Sequence, residues 1–236
     1  MIFISFKKVI ASFSVLLIAF LVSIIGFNEN NLIETSGEIK TKRIIIDAGH
    51  GLPDGGAVAA NGIEESSLNL QIALKLQEEL ENSGYDVIMT RKTENNIADS
   101  DKQNSIREIK TSDLNNRVKI ANESNADFMI SIHMNKYNES KYWGWQTFYS
   151  KNSKEGEKLA ELIQKGISNN IKERENKRTP LSIEGIKIVD KTSIPVVIVE
   201  CGFLSNAEDL KFLQTEEYQD KMVEGIMEGI MEYYKK

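Results

Sequence analysis

The chain has two histidines, and each one closes a short apolar run. His50 follows Ile44-Ile45-Ile46-Asp47-Ala48-Gly49, and His133 follows Phe128-Met129-Ile130-Ser131-Ile132. Glu200 stands in the same relation to Val196-Val197-Ile198-Val199, while Glu64 and Glu65 open an amphipathic helical segment. Two imidazoles and one carboxylate form the open, catalytic type of zinc site, with a fourth position left for water or substrate. A metal there acidifies water, and hydrolysis then needs a second carboxylate to take a proton and return it to the leaving group. Glu200 and a glutamate at the helix start supply the two carboxylates.

Each residue also has a plainer reading. A single strand-end histidine is more often a satisfied core or surface residue than a ligand. Matched positions for the only two histidines bring the two readings level. Glu200 closes so apolar a run that it is either paired or functional, because a buried unpaired charge costs several kcal/mol. Glu64 and Glu65 could serve only the helix dipole. Cys201, the single cysteine, reads as a small buried hydrophobe and excludes an intramolecular disulfide.

The elements that must position these groups follow from the patterning. Arg43 to Ala48 predicts a strand, broken at Gly49 by a loop carrying Pro53, Gly55 and Gly56. Leu68, Ile72, Leu76 and Leu80 define a helix that Ser66 or Ser67 would cap and Gly84 would end. Tyr85 to Thr90 completes a βαβ unit. The polar stretch Arg91 to Ser112 is expected to be a surface excursion rather than part of a site. Asp113 would cap a helix to about Asn122, before a strand from Asp127 to Ile132. Further strands are expected at 145–150, 185–190 and 194–200, and a helix at 154–172. Asn206 would cap a short helix to Leu213, and Tyr218, Met222, Ile226 and Ile230 face a closing helix. The Tyr142-Trp143-Gly144-Trp145 run is expected to serve sheet packing before any saccharide or protein contact. The pattern is one α/β domain.

Composition narrows the class. Apolar residues make up 41% and charged residues 27%, values ordinary for a folded domain. A net charge of −6 without a long basic run gives no support to a nucleic-acid partner. Lys7 and Lys8 precede an uncharged apolar run from Val9 to Phe27, with Glu29 and Glu34 beyond it. That run is longer than a usual signal-peptide core and has no small-residue cleavage signature. Residues 1–27 are therefore expected to be a membrane anchor, with a cleaved signal peptide as the alternative, and residues 28–42 a linker. The catalytic domain would be 43–236, outside the cytoplasm by the positive-inside rule.

Several linked motifs resemble one family. Asp47-Ala-Gly-His-Gly, Gly62-Ile-Glu-Glu, Thr90-Arg91, Asn116-Arg117-x-x-x-Ala121-Asn122, Ser131-Ile-His-Met-Asn135 and Glu200-Cys-Gly-Phe-Leu-Ser-Asn206 occur in order. Together they resemble the zinc-dependent N-acetylmuramoyl-L-alanine amidases of type 3, over about residues 43–233. The resemblance implies a mixed sheet of about six strands flanked by helices. It places the Zn²⁺ ligands on His50, Glu65 and His133 and the catalytic glutamate on Glu200. Glu65 is favoured over Glu64 because the family's ligand lies five residues before the second Leu of a Leu-x-Leu pair, here Leu70. Asp47 and Asn135 are candidates to orient the ligands, on proximity alone. Peptidoglycan would be the substrate, and an activator protein is a plausible partner.

Two departures stand out. Where many members read His-Gly-Gly, this chain has His50-Gly51-Leu52-Pro53-Asp54-Gly55-Gly56, and its polar insertion after Arg91 is longer. The first variant, with the anchor-like start and no wall-binding repeats, resembles the germination-specific, spore-cortex branch. The alternatives are a zinc peptidase on wall peptides, a cysteine hydrolase using Cys201, and a non-catalytic wall-binding module.

Overall fold

The computed structural model describes residues 42–102 and 105–235. The expected membrane segment at 1–27 and nearly all of the expected linker lie outside those residues. Among the described residues no helix is long and apolar enough to cross a membrane.

Six strands form one sheet: β1 (Arg43–Ala48), β2 (Asp86–Met89), β3 (Phe128–Asn135), β4 (Gln146–Ser150), β5 (Leu181–Ile183) and β6 (Val196–Phe203). Their order is β2-β1-β3-β6-β4-β5. The first four in that order run parallel, β4 is antiparallel to β6, and β5 follows the direction of β4. The helices are α1 (Glu65–Asn82), α2 (Ile106–Glu123), α3 (Lys154–Asn170), α4 (Lys187–Lys191), α5 (Ala207–Leu213) and α6 (Glu216–Tyr234).

Alternation along the strands sorts their side chains between two cores. Ile44, Ile46, Phe128, Ile130, Ile132, Val197 and Val199 join the larger core, which includes residues of α1, α3 and α6. Ile45, Met129, Val196 and Ile198 belong to a smaller core with Ala121 of α2 and Ile188 and Val189 of α4. Continuing in steps of two from that second set leads to Asp47, Ser131, His133 and Glu200. The thinner face thus turns from apolar to polar toward the strand carboxyl ends. Its centre lies where the strand order reverses about β1, with β2 on one side and β3 on the other. In open α/β sheets that is where ligand crevices form.

On the larger face, α3 and α6 cross closely. A Cβ on Gly166, Gly225 or Gly229 would overlap the backbone of the opposing helix. Trp145 lies in this larger core and is 1% exposed, as the packing expectation required. Asn206 caps α5 through bonds from the amides of Glu208 and Asp209, also as expected.

Four expectations are corrected. Neither serine caps α1: Glu64 is its N-cap without a side-chain cap bond, and Ser66 is buried within the first turn. A bridge between Val58 and Glu64 leads the chain into the helix instead. Helix α2 begins at Ile106, not at Asp113, with Ser105 accepting from the Glu108 amide at 3.2 Å. Ser105-x-x-Glu108 has capping-box spacing. No strand spans 185–190: β5 is Leu181–Ile183, and Lys187–Lys191 form α4. Finally, the polar stretch after β2 is not a plain surface excursion. The Leu52 amide donates to the Glu94 carbonyl at 2.8 Å, and the buried Arg91 anchors its start.

Candidate active site

Three elements deliver three ligand-type side chains to one point. Beyond β1, the Gly49 amide donates to the Ile132 carbonyl at 3.1 Å, and His50 then adopts a left-handed φ of 60°. Such a conformation in a non-glycine residue costs of order 1–3 kcal/mol and persists only where neighbours hold it. Arg117 supplies one restraint, donating to the His50 carbonyl at 2.5 Å. His133 projects from β3, and Glu65 from the first turn of α1. Small residues permit the approach. A Cβ at Gly49 would overlap the His133 ring, and one at Gly56 would lie 2.6 Å from Glu65 Oε2.

Glu65 bridges the two imidazoles. Its Oε1 lies 2.9 Å from His133 Nδ1, and its Oε2 lies 3.3 Å from His50 Nε2. It also accepts from the Ala57 amide at 2.9 Å and the Met134 amide at 3.2 Å. The rings of His50 and His133 meet edge to face, with centroids 5.1 Å apart. One ligand atom from each of the three residues lies within 4.8 Å of the others. Two imidazole nitrogens and a carboxylate oxygen this close, beside an open cleft, fit a divalent transition metal.

Electrostatics separates the carboxylates. Burial raises the Glu65 carboxyl, but the two histidines outweigh it and hold the group far below the usual carboxylate range. Burial lowers the His50 imidazole, and Asp54 with Glu65 reverse that, raising it to about 9. Glu200 goes the other way. It pairs in register with His133 and lines the same cleft as His50 and His133. Burial pushes its carboxyl up to about 7, and its Oε2 is buried without a hydrogen-bond partner.

The remaining candidates divide. Asp47 is 1% exposed and accepts from Arg117 at 2.5 Å, Ser131 at 2.6 Å and Thr90 at 2.7 Å. It touches neither imidazole; its link to the site runs through Arg117 to the His50 backbone. Among the described residues the Asn135 side chain makes no hydrogen bond to the cluster. Its backbone carbonyl instead receives the Leu204 amide at 2.8 Å, beside the register shift between β3 and β6. Cys201 is fully buried in the larger core, and burial holds its thiol well above its ordinary pKa. No thiolate nucleophile is available there.

Sequence reasoning assigned no role to three polar groups that build this site. Arg91 spans the carbonyls of Ala48, Gly49 and Ser66 at 2.8, 3.0 and 2.8 Å. Arg117 does the same for Ala48 and His50 while paired with Asp47 and Asp113. Asp54, four residues after His50, lies 3.0 Å from its Nδ1. Thr90-Arg91 and Asn116-Arg117 stood among the motifs, but nothing in their spacing shows that they bind carbonyls.

A converging ligand triad and an adjacent buried carboxyl, at the switch point of an α/β sheet, are the equipment of a hydrolase. The family described as N-acetylmuramoyl-L-alanine amidase matches residues 44–232. A germination-specific N-acetylmuramoyl-L-alanine amidase of Bacillus subtilis is 36% identical over 193 residues, covering 82% of this chain and 80% of that one. Among solved structures, the CwlD amidase from Clostridioides difficile, in complex with the GerS lipoprotein, superposes with a TM-score of 0.79. It is 38% identical and covered over 98% of its length, for 82% of this chain. An N-acetylmuramoyl-L-alanine amidase from Clostridium difficile 630 matches at 28% identity and a TM-score of 0.71, covering 82% of this chain and 96% of that one. The chain belongs to the N-acetylmuramoyl-L-alanine amidase family. It is accordingly an amidase acting on peptidoglycan, which removes the non-catalytic reading.

Proposed function

We propose that the chain is a zinc amidase in which His50, Glu65 and His133 hold the metal and Glu200 moves the proton. Bound zinc would supply Lewis acidity to the scissile carbonyl and to water. Glu200 then accepts the water's proton as attack begins and gives it to the L-alanine nitrogen as the lactyl–alanine amide opens. A base needs a carboxylate that other donors have not already claimed. The buried, unpartnered Oε2 of Glu200 beside the His50–Glu65–His133 cluster is the observation that carries this reading.

The substrate we infer is spore-cortex peptidoglycan, where removal of the stem peptide precedes muramic-δ-lactam formation. Similarity to a germination-specific amidase supports it. We place the enzyme outside the cytoplasm, anchored by residues 1–27, with residues 43–236 as its catalytic domain. A lipoprotein partner is in keeping with the complex in which the CwlD amidase was solved.

The test is to incubate the purified chain with cortex and vegetative peptidoglycan, with and without added Zn²⁺, and to count freed N-terminal L-alanine. Alanine termini that appear only with zinc, and faster on cortex, support the zinc-dependent amidase and its cortex substrate. New termini other than L-alanine point to the peptidase alternative. Equal rates on both walls remove the cortex assignment alone.

A further inference from the structure

We propose that Asp54 is a positioning residue that fixes His50 as a metal ligand, and that Lys110 of α2 holds Asp54 in place for that purpose. The inference rests on the metal centre proposed above and adds to it the residue that sets which His50 nitrogen is free.

The two nitrogens of His50 face different partners. Nε2 points at Glu65 Oε2, 3.3 Å away, and Nδ1 at Asp54 Oδ2, 3.0 Å away. An ionised carboxylate can only accept, so Asp54 keeps a proton on Nδ1, and Nε2, which faces the cluster, is the nitrogen that would offer its lone pair when a cation takes the place of its proton. Carboxylate partners of this kind orient ligating histidines and raise their basicity. The other Asp54 oxygen, Oδ1, is committed elsewhere: Lys110 Nζ lies 2.8 Å away, and the Gly56 amide donates at 3.2 Å. Asp54 therefore uses one oxygen for the ligand and one for its own anchorage.

The loop is built to keep this geometry. Gly51 and Asp54 exchange two backbone hydrogen bonds, each 3.0 Å, which close the turn between His50 and its partner. Lys110 reaches the turn from α2, whose Asp113, Leu114 and Arg117 line the same cleft. The second histidine lacks this device. His133 turns Nδ1 to Glu65, its ring packs against Gly49, and among the described residues no carboxylate bonds its Nε2. The centre is asymmetric: among the described residues His50 has a carboxylate partner outside the cluster, and His133 has only Glu65 within it.

Asp54 also shapes the turn, so the test must separate that role from orientation. Asp54→Asn keeps an acceptor for the Gly56 amide but places an NH₂ group opposite His50 Nδ1. That reverses the hydrogen bond and drives the proton to Nε2. The measurement is zinc affinity of the metal-free full-length chain, by competition with a chromophoric chelator, alongside its thermal midpoint. Asp54→Asn should bind zinc about 10–100-fold more weakly at an unchanged midpoint. Lys110→Met should fall between it and the unmodified chain. Asp54→Asn with unaltered affinity overturns the proposal. If that variant loses thermal stability, Lys110→Met decides, and unaltered affinity there overturns it equally. His50→Ala separates the two levels. A native chain that binds zinc no better than His50→Ala removes the metal centre and this inference together. Tight native binding, lost in His50→Ala and kept in Asp54→Asn, removes only the role of Asp54.

Discussion

Glu65 and Glu200 carry the same functional group toward the same cluster, and their surroundings drive them apart. Glu65 is met by two imidazoles and two backbone amides, so its charge is satisfied and its carboxyl titrates far below the usual range. Glu200 arises from an apolar strand, has a buried oxygen with no donor, and is pushed up to about 7. The number of donors decides which carboxylate is a permanent anion and which can exchange a proton near neutrality. Two glutamates so close in space can thus hold opposite duties, one static and one mobile.

The widest break in the comparison should come from the static side. Glu65→Ala should lose both bound zinc and turnover, as should the native chain treated with a chelator, with only the latter restored by added Zn²⁺. Metal analysis and alanine release read both. Glu200→Gln should lower kcat by about 10²–10⁴-fold while zinc content stays native. Loss of metal in that variant, or full activity, would erase the distinction between the two glutamates.

Asp47 sharpens the comparison as a third carboxylate, rich in donors yet bonded to no imidazole. Burial raises its carboxyl, and Arg117, Ser131 and Thr90 outweigh that and hold it below its ordinary 3.8. The unfolded chain then binds the proton more tightly than the folded one, so stability rises with pH through this window. The contribution is complete above about pH 4 and is lost as pH falls through the folded value. Asp47→Asn should cost about 3 kcal/mol in denaturant melts at neutral pH and flatten the acid limb of stability. The smallest effect belongs to Cys201→Ala. Activity should stay within about twofold and stability fall by about 1 kcal/mol. A collapse of turnover there would restore the cysteine hydrolase.

The strands that lead to His50, His133 and Glu200 were legible because each begins as a largely apolar run before the polar residue, although β3 and β6 continue past His133 and Glu200 to Asn135 and Phe203. Their convergence was inferred from parallel end positions, and the sheet order brings it about. Glu65 could be separated from Glu64 only through resemblance, since both stand at one helix start. The strand expected at 185–190 failed because Gly-Ile-Lys-Ile-Val-Asp is too short to distinguish alternation from one helical turn. The polar stretch after Thr90 was misread for a different reason. Its side chains satisfy backbone groups of the active-site loop, and burial of that kind leaves no hydrophobic period. Asp54 was hidden by its company, because Leu-Pro-Asp-Gly-Gly reads first as turn chemistry.

The contact of α3 with α6 through Gly166, Gly225 and Gly229 has a practical consequence for anyone making libraries of this enzyme. Methyl groups added there have nowhere to go, so alanine at these positions should appear as lost soluble yield, with no change in substrate preference among the molecules that do fold. The cleft opens on the other face of the sheet, lined by residues such as Leu114, Ile186 and Ile188. Diversity aimed at new wall chemistries belongs on that side, while the glycine crossing serves as a ready marker for reads that report folding alone.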